Sequence, residues 1–317
     1  MRSLMSGRAW IALLIVYVVW GSTYLAIKWS VQTMPALTSA AARFLVAGLL
    51  LALFARMRRG SAVWRMEPVR WRNAAICGVL LLTGGNGLVV LAETRVPSGL
   101  AALLVAVVPL WMILLRTALG DRTPMLSMIG VLIGLGGAAL LLLPGSGGHA
   151  NLGYSLLVVL AALSWAIGSV LVTRVPVPTE AAVMSSIEMM AGGSALIVAA
   201  AARGEFADLH LGDISAKSWL SLAYLIVFGS IVAFSAYMYA LANGPTSLVA
   251  TYAYVNPLVA VFLGVLLDHE HLTRTELIGG LVIVASVGVV VSAEGRHRAK
   301  VATLAVQPGD ECVVTAS

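Results

Sequence analysis

The chain has 317 residues, of which 60% are hydrophobic and 11% are charged, whereas an ordinary soluble domain carries roughly 25% charged residues. A mean hydropathy of +0.96 leaves too few polar side chains to cover a water-soluble globule of this size. The composition excludes a soluble enzyme, a disordered chain and a secreted disulfide scaffold. It predicts an all-α integral membrane protein that crosses the bilayer several times.

Long apolar segments follow one another along the whole chain. Crossing the roughly 30 Å hydrocarbon core of a bilayer takes about 20 apolar residues in a helix, and such runs are too long for the alternating strands of a membrane barrel. The sequence predicts ten transmembrane helices. They are Trp10–Ile27, Ala36–Ala55, Ala74–Ala92, Ser98–Leu115, Leu126–Leu143, Leu152–Val172, Ala181–Ala202, Trp219–Leu241, Ser247–Leu267 and Leu277–Ser292.

The net charge of +6 reflects orientation rather than nucleic-acid binding, because the basic residues cluster in short loops beside apolar segments. The densest cluster lies between the second and third segments and contains Arg56, Arg58, Arg59, Arg65, Arg70 and Arg72. If the N-terminus lies inside, most lysine and arginine residues fall on the inner side, as the positive-inside rule requires. Both termini are therefore predicted to be cytoplasmic.

The two halves of the chain repeat a pattern of prolines. Pro97 precedes the fourth segment and Pro109 lies within it. Pro245 and Pro257 take the same positions, at the same spacing, before and within the ninth segment. Because each half holds five segments, an odd number, the second copy enters the membrane from the opposite face. This predicts inverted five-helix repeats at residues 1–145 and 146–293, followed by a flexible cytoplasmic tail at residues 294–317.

Two charged residues lie deep in predicted segments, where unpaired charge is costly and marks a functional site. They are Arg43 and Glu188, at equivalent positions of the second and seventh segments. The inverted repeat places Arg43 in the outer half and Glu188 in the inner half of the membrane. We expect Arg43 to bind a carbonyl or a substrate carboxylate, and Glu188 to contact a substrate amine or take up a proton. The alternative is that both stabilise helix packing.

Polar and aromatic residues near the middle of the segments are predicted to bind the substrate, with ordinary packing as the alternative. Together with Arg43 and Glu188, they are Trp20, Tyr24, Asn86, Trp165, Ser169, Tyr237, Tyr252 and Asn256. Pro109 and Pro257 each remove a backbone donor inside a segment. They are therefore predicted to act as hinges that offer free carbonyls to a ligand.

No set of catalytic or metal-ligating residues falls within the segments, so no catalytic residue, metal or cofactor is predicted. The run His269-Glu270-His271 is interpreted as a solvated helix end rather than a metal site. Gly130, Gly134 and Ala138 form a small-residue stripe, which predicts close packing of the fifth segment against the tenth, with dimerisation as the alternative. We expect a monomer.

Several short patterns, taken in order, resemble one transporter family. They are Trp20-Gly21-Ser22-Thr23-Tyr24 with Lys28, then Arg43-Phe44, the segments that contain Pro109 and Pro257, and Glu270 followed by Ile278-Gly279. Over residues 10–292 the chain resembles the EamA-type branch of the drug/metabolite transporter superfamily. The resemblance implies ten helices in two repeats around a central cavity, in a bacterial inner membrane.

The resemblance also implies a secondary transporter that exports amino acids, aromatic or otherwise apolar, or related small metabolites. Its partners would be a small-molecule substrate and the lipid bilayer, with no nucleic acid, and it would work by alternating access. Two alternatives stay open at this stage. One is export of drugs, purines or sugars with broad specificity, and the other is passive, channel-like permeation.

Overall fold

The structure is a computed structural model that describes residues 6–121, 123–142, 151–207, 209–243, 249 and 251–306. Within these residues the regular elements are helices, and no strand occurs. We number the main helices in chain order. They are α1 Gly7–Ser30, α2 Ala36–Arg59, α3 Pro68–Ala92, α4 Ser98–Ala118, α5 Met125–Leu141, α6 Leu152–Val172, α7 Ala181–Ala202, α8 from Ala216 to Asn243, α9 Tyr252–Asp268 and α10 Arg274–Val306.

Eight of the described helices are long and apolar enough to cross a membrane, namely α1, α2, α3, α4, α6, α7, α8 and α10. The other two, α5 and α9, are apolar helices of 17 residues each. Helix α3 begins at Pro68 rather than at the predicted Ala74, so Arg70 and Arg72 lie on a helix and not in a loop. Helix α10 continues past the predicted end at Ser292 to Val306.

Several helices begin at a local side-chain cap, whereas others do not. Ser6, Asn151, Glu180 and Ser215 each cap the helix that follows them with their own side chain. Helices α2 and α4 instead follow Pro35 and Pro97, which have no side-chain acceptor. The first amides of α2 donate to Glu205 at 3.1 and 2.9 Å, and those of α4 donate to Glu270 at 2.8 and 3.0 Å. Carboxylates of the second half thus stabilise helix starts in the first half.

Irregular stretches interrupt three helices. A π-helical stretch spans Val79–Gly87 in α3, and another spans Leu225–Val232 at the equivalent place in α8. Helix α4 is broken by a turn at residues 106–107, directly before Pro109. Helix α9 runs through Pro257 without a break, and the turn nearest to this proline lies ahead of α9, at Thr251. The expected interruption is therefore observed in α4 and not in α9, and hinge motion at either proline stays a prediction.

Contacts between connections place the helix ends at two opposite ends of the bundle. At the distal end, the end of α1 meets the end of α9 through Lys28 and Asp268, whose charged atoms are 2.6 Å apart. At the proximal end, Arg174 after α6 pairs with Asp121 between α4 and α5 at 2.7 Å. The distal end also contains residues 31–35, 93–97, 203–207, 209–215 and 269–273, whereas residues 60–67, 119–121, 123–124 and 173–180 lie at the proximal end.

Helices α2 and α7 cross through contacts that are reciprocal between the two halves. A Cβ atom added to Gly48 would lie 3.2 Å from the Cγ atom of Met190, and one added to Gly193 would lie 2.8 Å from the Cγ atom of Leu45. Gly48 and Gly193 are equivalent positions of the two halves, and so are Leu45 and Met190. Exchanging the halves therefore maps one contact onto the other, as a local two-fold axis requires.

Helices α5 and α10 cross in the same reciprocal way. A Cβ atom on Gly130 would lie 2.7 Å from Val290, and one on Gly279 would lie 2.8 Å from Leu141. Gly134, the next small residue of the predicted stripe, packs against Ser286. The predicted packing of the fifth segment on the tenth is confirmed, because small residues let the two backbones approach closely.

Gly78 on α3 is expected to tolerate no side chain. A Cβ atom there would overlap the backbone carbonyl of Glu188 on α7, whereas one on Gly136 in α5 would meet no atom within 4 Å. We expect Gly78→Ala to lower the free energy of unfolding by about 1–3 kcal/mol through overpacking, and Gly136→Ala to leave it unchanged. Thermal unfolding of the two purified variants in detergent measures the difference. Equal unfolding midpoints would contradict the close approach of α3 and α7.

Candidate functional site

Three aromatic side chains from α1, α8 and α9 form a compact cluster near the middle of the bundle. The ring centroid of Trp20 lies 5.2 Å from that of Tyr237 and 5.3 Å from that of Tyr252, and the two tyrosine rings are 5.6 Å apart. The indole nitrogen of Trp20 donates to the carbonyl of Gly229, in the π-helical stretch of α8, at 3.1 Å. Three of the predicted site residues are thus brought together into one apolar surface with two hydroxyl groups.

Arg43 lies next to this cluster and is buried, with 6% of its surface exposed. Its Nε atom donates to Ser230 at 3.0 Å, and its guanidinium carbon lies 4.9 Å from the ring centroid of Phe44. A Cβ atom on Gly229 would lie 3.2 Å from the Nη2 atom of Arg43, so the glycine lets this group approach the backbone of the π-helical stretch closely. The Nη1 atom is enclosed and has no hydrogen-bond partner.

Glu93, directly after the last residue of α3, is a second buried ionisable residue, on the distal side of Arg43, and was not predicted. It is 3% exposed, and both of its carboxylate oxygens are enclosed without a hydrogen-bond partner of good geometry. Burial and the nearby negative charge of Glu270 raise the pKa of Glu93 well above its ordinary value, although Lys28 and Arg43 act in the opposite direction. Tyr24 also lies close enough to interact with this carboxylate electrostatically. Because a buried ion without a partner is costly, the opposite charges of Glu93 and Arg43, both with unused hydrogen-bonding atoms, mark a site that is ready for a polar ligand.

An ion-pair cluster around Lys28 lies at the distal end. The ammonium of Lys28 lies 2.6 Å from Asp268 and 2.7 Å from Glu270. Glu270 also accepts the hydroxyl of Ser98 at 2.8 Å, in addition to the two backbone amides at the start of α4. We call this set of contacts, formed by Lys28, Asp268, Glu270 and Ser98, the distal latch, since it joins α1, α4 and α9.

The interpretation of His269-Glu270-His271 as a solvated helix end is wrong for its central residue. The Glu270 side chain is 6% exposed because it turns inward to cap α4. Burial acts to raise its pKa, but the hydrogen bonds from Lys28 and from the amides of Gly99 and Ser98 outweigh burial, so the pKa of Glu270 is lowered. Among the described residues, no three His, Cys, Asp or Glu side chains are placed to hold a metal ion.

A second group of predicted residues lies between α3, α6 and α7. Asn86 sits in the π-helical stretch of α3, with an enclosed side-chain oxygen that has no partner. Trp165 packs against Gly85, and the Ser169 hydroxyl donates to the carbonyl of Trp165 at 2.8 Å. Glu188 is buried, with 8% exposure. Its carboxylate forms no hydrogen bond or ion pair with the described residues, Arg43 included.

Asn256 and its neighbours hold α1 against α9. With its amide nitrogen facing two backbone carbonyls, Asn256 donates to Tyr252 at 3.2 Å and to Tyr17 at 3.3 Å. The Tyr17 hydroxyl contacts the Thr251 hydroxyl. Asn256 is therefore engaged in helix packing, and its predicted contact with substrate would require these bonds to break.

A helical membrane protein with unpartnered charges and aromatic rings buried between its helices has the features of a transporter, because such groups mark a solute pathway. The EamA-like transporter family matches this chain over residues 7–143 and over residues 152–292. The chain therefore belongs to the EamA-like transporter family, within the drug/metabolite transporter superfamily, as its sequence patterns predicted. It is a transporter and not an enzyme.

Similar proteins carry transporter names. The chain is 41% identical over 282 residues to the uncharacterized inner membrane transporter YedA of Escherichia coli (strain K12), covering 88% of this chain and 89% of the relative. It is 26% identical over 291 residues to the uncharacterized transporter YvbV of Bacillus subtilis (strain 168), covering 92% and 93%. A probable terminal-alkyne amino-acid exporter of Streptantibioticus cattleyicolor is 32% identical over 162 residues, 50% of this chain and 52% of that protein.

A solved crystal structure superimposes on this chain with a TM-score of 0.61 at 21% sequence identity. The match covers 89% of this chain and 96% of the solved one. At this identity the likeness shows a shared fold.

Proposed function

We propose that this chain is a secondary transporter that exports amino acids with apolar or aromatic side chains, or closely related zwitterions. The observation that carries the proposal is the pair of opposite charges Arg43 and Glu93, which are both buried with unused hydrogen-bonding atoms and interact electrostatically. Arg43 adjoins the aromatic rings of Trp20, Tyr237 and Tyr252 through Gly229, whose carbonyl accepts from Trp20. The guanidinium complements an α-carboxylate and the Glu93 carboxylate complements an α-ammonium group. The aromatic rings complement an apolar side chain.

Alternating access is proposed as the mechanism, with ten helices in two inverted repeats at residues 1–145 and 146–293. The reciprocal crossings of α2 with α7 and of α5 with α10 support an internal two-fold arrangement, although Pro245, part of the sequence repeat, lies outside the described residues. The distal latch supports a conformation closed at that end. Rocking of the repeats would break the latch and open the site there.

The orientation is part of the same proposal. The arginine-rich segment after α2 lies at the proximal end, so the positive-inside rule supports a cytoplasmic proximal end and cytoplasmic termini. The name of the Escherichia coli relative supports a bacterial inner membrane. We also propose a monomer, because the small-residue stripe of α5 is covered by α10 of the same chain.

The choice of amino acids over drugs, purines or sugars rests on the two opposite charges of the site. The name of the Streptantibioticus relative, which matches half of this chain, supports the choice. Substrate counterflow in proteoliposomes tests the choice with three compounds that share one ring. They are L-phenylalanine, its decarboxylated amine and its deaminated acid. Because each missing charge leaves one buried charge of the site unpaired, we expect saturable exchange of phenylalanine at least tenfold faster than exchange of either analogue.

Two results of the counterflow assay would contradict the proposal. Equal exchange of all three compounds would mean that Arg43 and Glu93 do not bind the carboxylate and ammonium groups of the substrate. Flux that does not saturate and is not stimulated by substrate on the opposite side would indicate a channel rather than a carrier.

A further inference from the structure

A groove on the membrane-facing side of α7 lies outside the site described above. It has a volume of about 410 Å³ and lies between α2, α3 and α7. The side chains of Trp64 and Trp71, with ring centroids 5.8 Å apart, form one wall. The rest of the lining is mostly apolar and includes Ile187, Met190 and Ser194. Because Ser186 and Ser194 are eight residues apart on α7, the groove extends about 12 Å along the helix.

A second cavity of about 620 Å³ adjoins the groove at the proximal end. Its lining contains Arg65, Glu67, Arg70 and Glu180, together with Val183. The two spaces adjoin because Trp64 precedes Arg65, Trp71 follows Arg70 and Ile187 lies one turn after Val183. A polar cavity at the helix ends thus leads into an apolar groove that enters the membrane.

Among the described residues that line the cavity, one cation has no partner. Glu67 lies 4.0 Å from Arg70, whose Nη1 atom donates to the carbonyl of Val177 at 3.0 Å. The Glu180 carboxylate caps α7 at 2.7 Å. The Arg65 guanidinium is exposed and forms no hydrogen bond or ion pair with the described residues. The cavity therefore favours an anionic group beside Arg65.

We propose that this cavity and groove bind one anionic phospholipid, with its phosphate at Arg65 and an acyl chain along the groove between the two tryptophans and α7. The two glutamates of the lining are engaged by Arg70 and by the start of α7, so the remaining charge of Arg65 selects an anionic headgroup. The paired tryptophans lie where aromatic residues meet the headgroup region. This site is independent of the solute that the protein carries.

Native mass spectrometry of the full-length protein in detergent tests the site, with phosphatidylglycerol and phosphatidylethanolamine as probes. We expect phosphatidylglycerol to bind more tightly than phosphatidylethanolamine. Arg65→Gln should weaken phosphatidylglycerol binding about fivefold, as the loss of one cation near a lipid phosphate predicts. Ser194→Trp, on the exposed side of α7, fills the groove and should weaken binding of both lipids without disturbing the helix core.

Arg58→Gln is the matched control, because Arg58 is an exposed arginine at the end of α2 whose guanidinium lies over the Phe54 ring. It should change phosphatidylglycerol binding less than twofold. Equal losses in Arg58→Gln and Arg65→Gln would overturn the proposal in favour of diffuse attraction to the basic segment. Equal affinity for the two lipids, or unchanged binding in both Arg65→Gln and Ser194→Trp, would overturn it as well.

Discussion

Glu93→Gln is expected to reduce counterflow of phenylalanine about 10- to 100-fold, measured as kcat/KM in proteoliposomes. Glutamine keeps the shape of the side chain but removes the negative charge that would pair with the substrate ammonium, and a hydrogen bond between charged groups contributes about 1.5–3 kcal/mol. Asp213→Asn is the control for charge removal, since Asp213 is exposed in a short turn at the distal end. Transport by Asp213→Asn should stay within twofold of wild type.

The direction of the specificity change separates substrate binding from a structural role for Glu93. Without the carboxylate, the site should lose its preference for phenylalanine over the deaminated acid, and the ratio of their exchange rates should move toward one. Arg43→Gln should instead reduce the preference over the decarboxylated amine. A uniform loss for all three compounds, or wild-type exchange of phenylalanine by Glu93→Gln, would contradict the assigned roles.

Glu270→Gln is expected to lower the free energy of unfolding by about 3 kcal/mol, because it removes one partner of a largely buried ion pair. Lys28 would keep Asp268 at 2.6 Å, but the start of α4 would lose its charged acceptor. Glu205 provides a matched control, since its carboxylate caps α2 in the same way. Glu205→Gln should cost only about 1 kcal/mol, the usual contribution of a helix cap. Equal losses of stability would show that the distal latch adds nothing beyond capping.

The pH dependence of stability provides an independent test of the distal latch. The pKa of Glu270 is lowered in the folded protein, so its ionised form contributes stability at pH values above its ordinary pKa. This contribution is lost as the pH falls through the lowered pKa. As the pH is lowered from 5, the unfolding midpoint of the wild type should therefore fall more steeply than that of Glu270→Gln. Parallel curves would contradict the assigned role.

The apolar segments were predictable because a helix is the only single-segment structure that satisfies every backbone group inside a bilayer. Where a helix carries its own cap, its start is also visible in the sequence. Thr273 and Glu276 form a capping box before α10, with the amide of Thr273 donating to Glu276 at 2.7 Å. The caps of α2 and α4 were not predictable, because Glu205 and Glu270 are distant in sequence from the helices they cap.

The site was predictable in part, for a related reason. Aromatic residues in the middle of apolar segments pointed to Trp20, Tyr237 and Tyr252, and the structure brings these three together. Glu93 was missed because it follows the last residue of an apolar run, where a carboxylate is ordinarily solvated. Glu93 is buried because α1 and α2 pack beside it, and the sequence around Glu93 does not indicate this packing. One sequence feature could have pointed to this region. The π-helical stretch of α3 ends in a glycine-rich segment, Gly84 to Gly87, which indicates that other helices pack closely against it.

Accessibility labelling tests the inverted arrangement most directly. Single cysteines at Ser61, Asn151 and Gly212 would be introduced after Cys312→Ser, with Cys77 retained because it is buried. In intact cells, a membrane-impermeant maleimide should label Asn151→Cys and Gly212→Cys, which lie at the distal end, and should label Ser61→Cys only after the membrane is permeabilised. Labelling of Ser61→Cys and Asn151→Cys from the same side would contradict the threading of two oppositely oriented repeats around one solute site.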